Sequence, residues 1–167
     1  MAFMRCLAQA IALVVLPAVV APAIAGEDIV GTWTLVSMTS ENTETGEVSH
    51  PYGQHPQGQL ICTQGGHMQA IIVAEGRKRF GANRFTASVE DQAEAFKTMN
   101  AIAGTYTLTD TGVTFHVGVA SIESWAGSDH VRSTERNGDR LTIKTGPLPS
   151  PPDGKPRIVA LVWQRIE

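Results

Sequence analysis

One arginine, two histidines and a tryptophan carry most of the chemistry this sequence offers: Trp125, His130, Arg132 and, on a neighbouring segment, His116. His130 and Arg132 lie two apart in DHVRSTERNGDRLTIKT, residues 129–145, which alternates as a β-hairpin does. Asn137-Gly138 is a strong turn signal, because a two-residue loop of this kind needs positive φ. Closing the turn there pairs Arg136 with Asp139, Glu135 with Arg140, Thr134 with Leu141 and Arg132 with Ile143. Directly opposed residues share a face, so Arg132 and His130 are expected on the side of Leu141 and Ile143. A guanidinium facing inward must meet an anion, water or an aromatic ring, since burial without a partner costs several kcal/mol. Two roles follow. Glu123, Asp129 or a strand-end carbonyl satisfies Arg132 structurally, or Arg132 lines a pocket and grips a ligand carboxylate or enolate with both prongs.

His116 belongs to a second hairpin. Pairing across Thr111-Gly112 sets Leu108 against Phe115, Thr107 against His116 and Tyr106 against Val117. Tyr106, Leu108, Phe115, Val117 and Val119 then share an apolar face, and Thr107, Thr114 and His116 occupy the other. With the apolar face inward His116 points out, although a one-residue slip reverses every assignment. A histidine inside a pocket, His116 or His130, is the candidate general base near neutral pH. Trp125 and Glu123 sit just upstream of His130. An aromatic wall with few polar groups is what a small-molecule pocket requires, so Trp125, Tyr106 and Phe115 are the expected apolar contacts. Tyr52 joins them from HPYGQHPQG, residues 50–58, a loop expected over one end of the fold.

Other chemistries are poorly supported. His50, His55 and His67 match no zinc or iron spacing, and no cysteine or nearby carboxylate joins them, so neither a metal nor another cofactor is expected. The basic run GRKRFGANR, residues 76–84, reads as a solvated loop that at most draws anions toward an opening. No phosphate loop, dinucleotide fingerprint or nucleophile elbow occurs. The formal charge of −3 gives no footprint for nucleic acid.

The elements that must position these residues begin after a leader. Arg5, the apolar run LAQAIALVVL and Ala23-Ile24-Ala25 read as a secretory signal peptide over residues 1–25, cut before Gly26. The mature chain, Gly26–Glu167, suits one domain with a full core. It is expected in the periplasm or medium, with no membrane attachment after cleavage. Only Cys62 remains, as a small apolar strand residue, so no internal disulfide forms. Eight strand-like segments follow: 31–39, 58–63, 67–74, 104–109, 113–121, 129–136, 139–145 and 157–166. Most are joined by short turns, which predicts a closed, eight-stranded antiparallel up-and-down barrel, all-β, wide enough for filling side chains or one small ligand. One inserted helix is expected over about 89–103, capped by Ser88 with Asp91 three residues on, and ended by Gly104.

Taken in order, these segments resemble a known family. GTWTLVS (31–37), PYGQHPQGQL (51–60), GGHMQA (65–70), GTYTL (104–108), SWAGSDHVR (124–132), NGDRLTI (137–143) and LVWQR (161–165) are similar to the bacterial and fungal lipocalin-like domain family of calycin-type barrels. The resemblance implies a barrel with a central pocket and says little about reaction, because the fold hosts carriers and enzymes alike. It also implies that Arg165 stacks over Trp33 to close the barrel, with Trp33 a floor plug. Phe115 stands where relatives often carry a second histidine beside the one at His116, so that pair is not available here. The expected function is an exported protein that holds a small, largely apolar ligand, neutral or acidic. The alternative is an isomerase, cyclase or hydrolase using a pocket histidine with Arg132. A histidine and Arg132 sharing one cavity favour the enzyme, and a dry cavity with both histidines outside favours the carrier.

Overall fold

The computed structural model describes residues 29–81, 83, 85–150 and 153–167. The expected leader, residues 1–25, lies outside the described residues. In chain order the elements are β1 (Gly31–Asn42), β2 (Val48–Ser49), β3 (Gln57–Cys62), β4 (His67–Val73), α1 (Val89–Lys97), β5 (Met99–Thr109), β6 (Gly112–Ala120), β7 (Asp129–Asn137), β8 (Arg140–Thr145), β9 (Leu148–Pro149) and β10 (Pro156–Arg165). A 3-10 turn, Glu123–Trp125, connects β6 to β7. Eight long strands pair antiparallel with their neighbours in sequence, and β10 returns to pair with β1 from Trp33–Arg165 to Asn42–Arg157. The sheet is therefore a closed up-and-down barrel without free long edges. The two-residue strands β2 and β9 extend β1 and β10 locally. Among the described residues no helix is long and apolar enough to cross a membrane.

Both hairpins that carry polar candidates differ from expectation by two residues, and the faces survive. Across β7–β8, Asn137 pairs with Arg140, Thr134 with Ile143 and Arg132 with Thr145. The loop is Gly138-Asp139, with positive φ (59°) at Gly138 alone, so glycine stands first and Asn137 stays in the strand. Across β5–β6, Tyr106 pairs with Phe115 and Thr105 with His116. A shift of two preserves parity, so Arg132 still shares its face with Ile143, and His116 still opposes the apolar set. Val119 is the exception. A bulge between Ala103 and Gly104 breaks the alternation beyond Val117, and Val119 emerges 70% exposed on the outer wall.

The helix is shorter than expected. Ser88 accepts the amide of Asp91 as its cap, but the helix ends at Lys97. Met99–Ala103, expected as its last turn, instead pairs with Val73–Gln69 of β4. Backbone pairing with a full-length neighbour outweighs the local helical pattern, since helix propensity differs by only tenths of a kcal/mol per residue. The change makes Ile102, within the expected helix, a barrel-wall residue packed against the core.

One end of the barrel is sealed. Trp33 is wholly buried, and its indole N–H donates to the carbonyl of Ile29 at 2.9 Å. The Arg165 guanidinium lies 5.3 Å from the Trp33 ring centre and donates to Val30 O at 2.7 Å. Arg136 approaches the same ring at 5.7 Å, a second cation over it that the sequence did not suggest. Gly31, with φ of 142°, has Glu167 O and the Arg165 guanidinium where a Cβ would project. Glycine is required there both for its backbone and for the arginine's approach. Cys62 is buried beside this end, and burial pushes its thiol up to about 12.

Candidate functional site

Above the Trp33 seal the inner face is not filled. A cavity of about 240 Å³ is lined by Leu60, Met68, Phe115, Ile143 and Trp163 near the core, and by Ile102, Trp125, Val159 and Leu161 further out. It reaches Leu148, which is 48% exposed, so the lumen meets solvent at the rim formed by β9 and the nearby strand ends. Among the described residues, the charged or titratable side chains on its wall are His130 and Arg132, and Asn100, Thr145 and the indoles of Trp125 and Trp163 are its remaining polar groups. The Trp163 indole N–H is buried and has no acceptor among the described residues.

The strand geometry of β7 explains why two basic residues share this wall. Its burial alternates residue by residue, with His130, Arg132, Thr134 and Arg136 inward. Nearest the seal, Arg136 stacks on Trp33, while His130 and Arg132 stand higher and face open space. The Arg132 guanidinium donates only to the carbonyl of Val131, at 2.8 Å, and no carboxylate among the described residues pairs with it. Burial pulls its pKa below the ordinary arginine value. Neither Glu123 nor Asp129, the structural partners considered from sequence, reaches it. His130 meets the Trp125 ring edge-on at 5.2 Å and makes no hydrogen bond to another described residue. Burial, with Arg132 nearby, holds its imidazole below the ordinary histidine range, and Asp129 opposes this only partly.

Of the expected site residues, the structure brings Arg132, His130, Trp125 and Phe115 to one cavity. Tyr106 is inward but too low: it is buried beside Phe115 toward the sealed end, and its hydroxyl donates to Thr63 O at 2.7 Å. Tyr52 packs against the core from its loop without reaching the cavity wall. That loop is pinned to the end of β4, where Glu75 accepts the amides of Gln54 and His55 at 2.8 and 3.0 Å. Burial raises both tyrosine pKa values. Met68, Ile102, Leu161 and Trp163 are wall residues that the sequence reading missed, although all sit at inward positions of predicted strands or of the region assigned to the helix.

His116 lies outside the barrel. Its Nε2 meets Thr107 Oγ1 at 2.8 Å and its Nδ1 meets Asp129 Oδ1 at 2.7 Å. Hydroxyl, imidazole and carboxylate thus form the order of a hydrolase triad across β5, β6 and β7. Acyl transfer also needs donors aimed at a developing oxyanion and a pocket to hold the acyl group. On this outer sheet face the backbone amides are engaged in the ladder, and His116 and Asp129 side chains are 40% and 64% exposed. The chain of bonds ties three strands together.

A wider concavity, about 860 Å³, lies between residues 73–80 and Ala95, outside the barrel. Two of its cations are engaged, Lys78 with Asp91 at 2.7 Å and Arg77 with Thr98 and the Ala95 carbonyl, and Arg79 lines it as well. Among the described residues no three histidine, cysteine, aspartate or glutamate side chains gather as a metal site, His50, His55 and His67 included.

A sealed floor, an apolar lumen and an open rim define a closed eight-stranded barrel that encloses a pocket. A family model described as the lipocalin-like domain matches residues 30–166, and the chain belongs to that family. Comparison with curated proteins finds no significant match. Membership suggests small-molecule binding in the barrel.

Proposed function

We propose that this protein binds a compact, largely apolar monoanion inside the barrel, with the charged group at Arg132 and the apolar body against Phe115, Trp125 and Trp163. The observation that supports this reading most is Arg132 itself: a half-buried cation on an apolar wall with no acidic partner. A buried guanidinium satisfied by one carbonyl retains donors that a carboxylate or sulfonate would use. The volume lies below the ~300–1,000 Å³ of drug-sized sites, which favours a fused-ring acid or short-chain acid over a long lipid. The signal-like leader in the sequence supports action after export. Ala70 lines the cavity, so Ala70→Phe fills it from the wall. Naphthalenesulfonate, titrated calorimetrically, is expected to bind the wild-type protein and to lose measurable binding to Ala70→Phe while the circular-dichroism spectrum of the barrel is retained. Equal binding to both proteins would place the ligand elsewhere.

One observation favours a second reading: His130 and Arg132 share the cavity, as an acid–base catalyst acting on a carbonyl compound needs. Against it, no carboxylate among the described residues hydrogen-bonds to His130, and Asp129 turns outward to His116. The reading requires His130-dependent exchange of α-protons of a bound ketone in deuterium oxide, read by proton NMR. Exchange at the buffer rate removes it.

A further inference from the structure

We propose that His130 is a second, proton-dependent anchor for the anionic head, so that loading the barrel draws protons from the solvent. This rests on the reading of the cavity as an anion site and assigns a regulation to it. The geometry is a pair of basic side chains two residues apart on the inner face of β7, both lining one cavity. The groups facing His130 are few. From β6 its cross-strand partner is Phe115, the 3-10 turn presents Trp125, and β7 itself carries Arg132. Glu123 is exposed, and Asp129 is committed to His116. Among the described residues no carboxylate lines the cavity beside the imidazole.

In the empty barrel the neutral imidazole is therefore favoured, because burial and the Arg132 charge both oppose a second cation. An anion held by Arg132 cancels that charge and places a negative one within reach of His130. The protonated imidazole is then favoured in the complex, and the group's pKa rises on binding. By linkage, affinity strengthens as pH falls from above the pKa of the complex to below that of the empty protein. Each unit of rise corresponds to about tenfold in affinity. An acid would be held at mildly acidic pH and released as the surroundings become alkaline.

Naphthalenesulfonate is a suitable probe because it stays anionic throughout, so any pH dependence belongs to the protein. Calorimetric titration between about pH 8 and about pH 5.5 is expected to show binding tighten by about tenfold. Repeating it in two buffers of different ionisation enthalpy counts the protons taken up, and this needs no variant. His130→Gln is expected to flatten the profile, and His116→Gln, on the outer wall, to leave it as in the wild type. Neutral naphthalene is expected to bind with no slope. A flat wild-type profile with no proton uptake, while binding still depends on Arg132, overturns the inference and leaves the anion site standing. A slope that survives His130→Gln overturns it as well. Binding that ignores Arg132→Met overturns the reading of the site beneath it.

Discussion

Arg132→Met is expected to weaken naphthalenesulfonate binding by about a hundredfold, about 2.7 kcal/mol, while the empty barrel melts no lower than the wild type. The two effects have opposite signs for one reason. In the empty protein the guanidinium is drawn out of water and receives a single carbonyl in return. Replacing an incompletely paired buried charge by an apolar side chain of similar length is often neutral or stabilising. In the complex the same charge gains its missing partner, and charge-assisted bonds in a low-dielectric cavity are the strong ones. A residue kept only for structure gives the reverse pattern, with a lower melting temperature and little change in affinity. Neutral naphthalene is the control: its affinity should hold or improve in Arg132→Met, because the wall becomes more apolar. Calorimetry with both probes, together with thermal melts, separates the cases. Parallel losses for both probes would show that the substitution deforms the cavity and would remove the anion site.

How much of this was legible in the sequence depends on which property is asked for. Faces were legible, because alternation has a period of two and both hairpin registers moved by two. That is why Arg132 faces inward and His116 outward despite mispaired partners. Height along the barrel axis was not legible. Tyr106 and Phe115 share a face, yet Phe115 borders the lumen and Tyr106 is spent on Thr63 O nearer the seal. Nothing in a strand's own pattern marks where the filled layer stops. The Asp129–His116 bond was hidden for a related reason. It depends on the β6–β7 register, and those strands are joined by a 3-10 turn and loop rather than a tight turn that fixes pairing. Residues 99–103 read as helix because apolar spacing there suits either period, and only a long neighbour, β4, decides between them. The second arginine over Trp33 escaped notice because Arg136 lies beside the turn, where a charged residue looks solvated.

The same closed end carries the largest expected effect on stability. Trp33→Ala removes a wholly buried indole, its bond to Ile29 O and the ring that two guanidinium groups approach. Loss of a buried aromatic to alanine costs about 3–5 kcal/mol, and the stacked cations add to it. Against a total stability of about 5–15 kcal/mol, the variant is expected to be marginal at best. With a urea dependence of about 2 kcal/mol per molar, a loss near 4 kcal/mol lowers the unfolding midpoint by about 2 M. Trp33→Phe should lose much less, because a ring is still there for Arg165 and Arg136 to approach, and only the donated bond to Ile29 and some volume are gone. The comparison tests mechanism as well as magnitude. If the indole acts chiefly as a surface that lets two cations approach one point, Trp33→Ala takes that surface away from Arg136 and Arg165. Raising salt should then recover part of the loss in Trp33→Ala and little in Trp33→Phe. Equal midpoints for the two variants would show that the hydrogen bond, and not the stacked ring, holds the barrel shut.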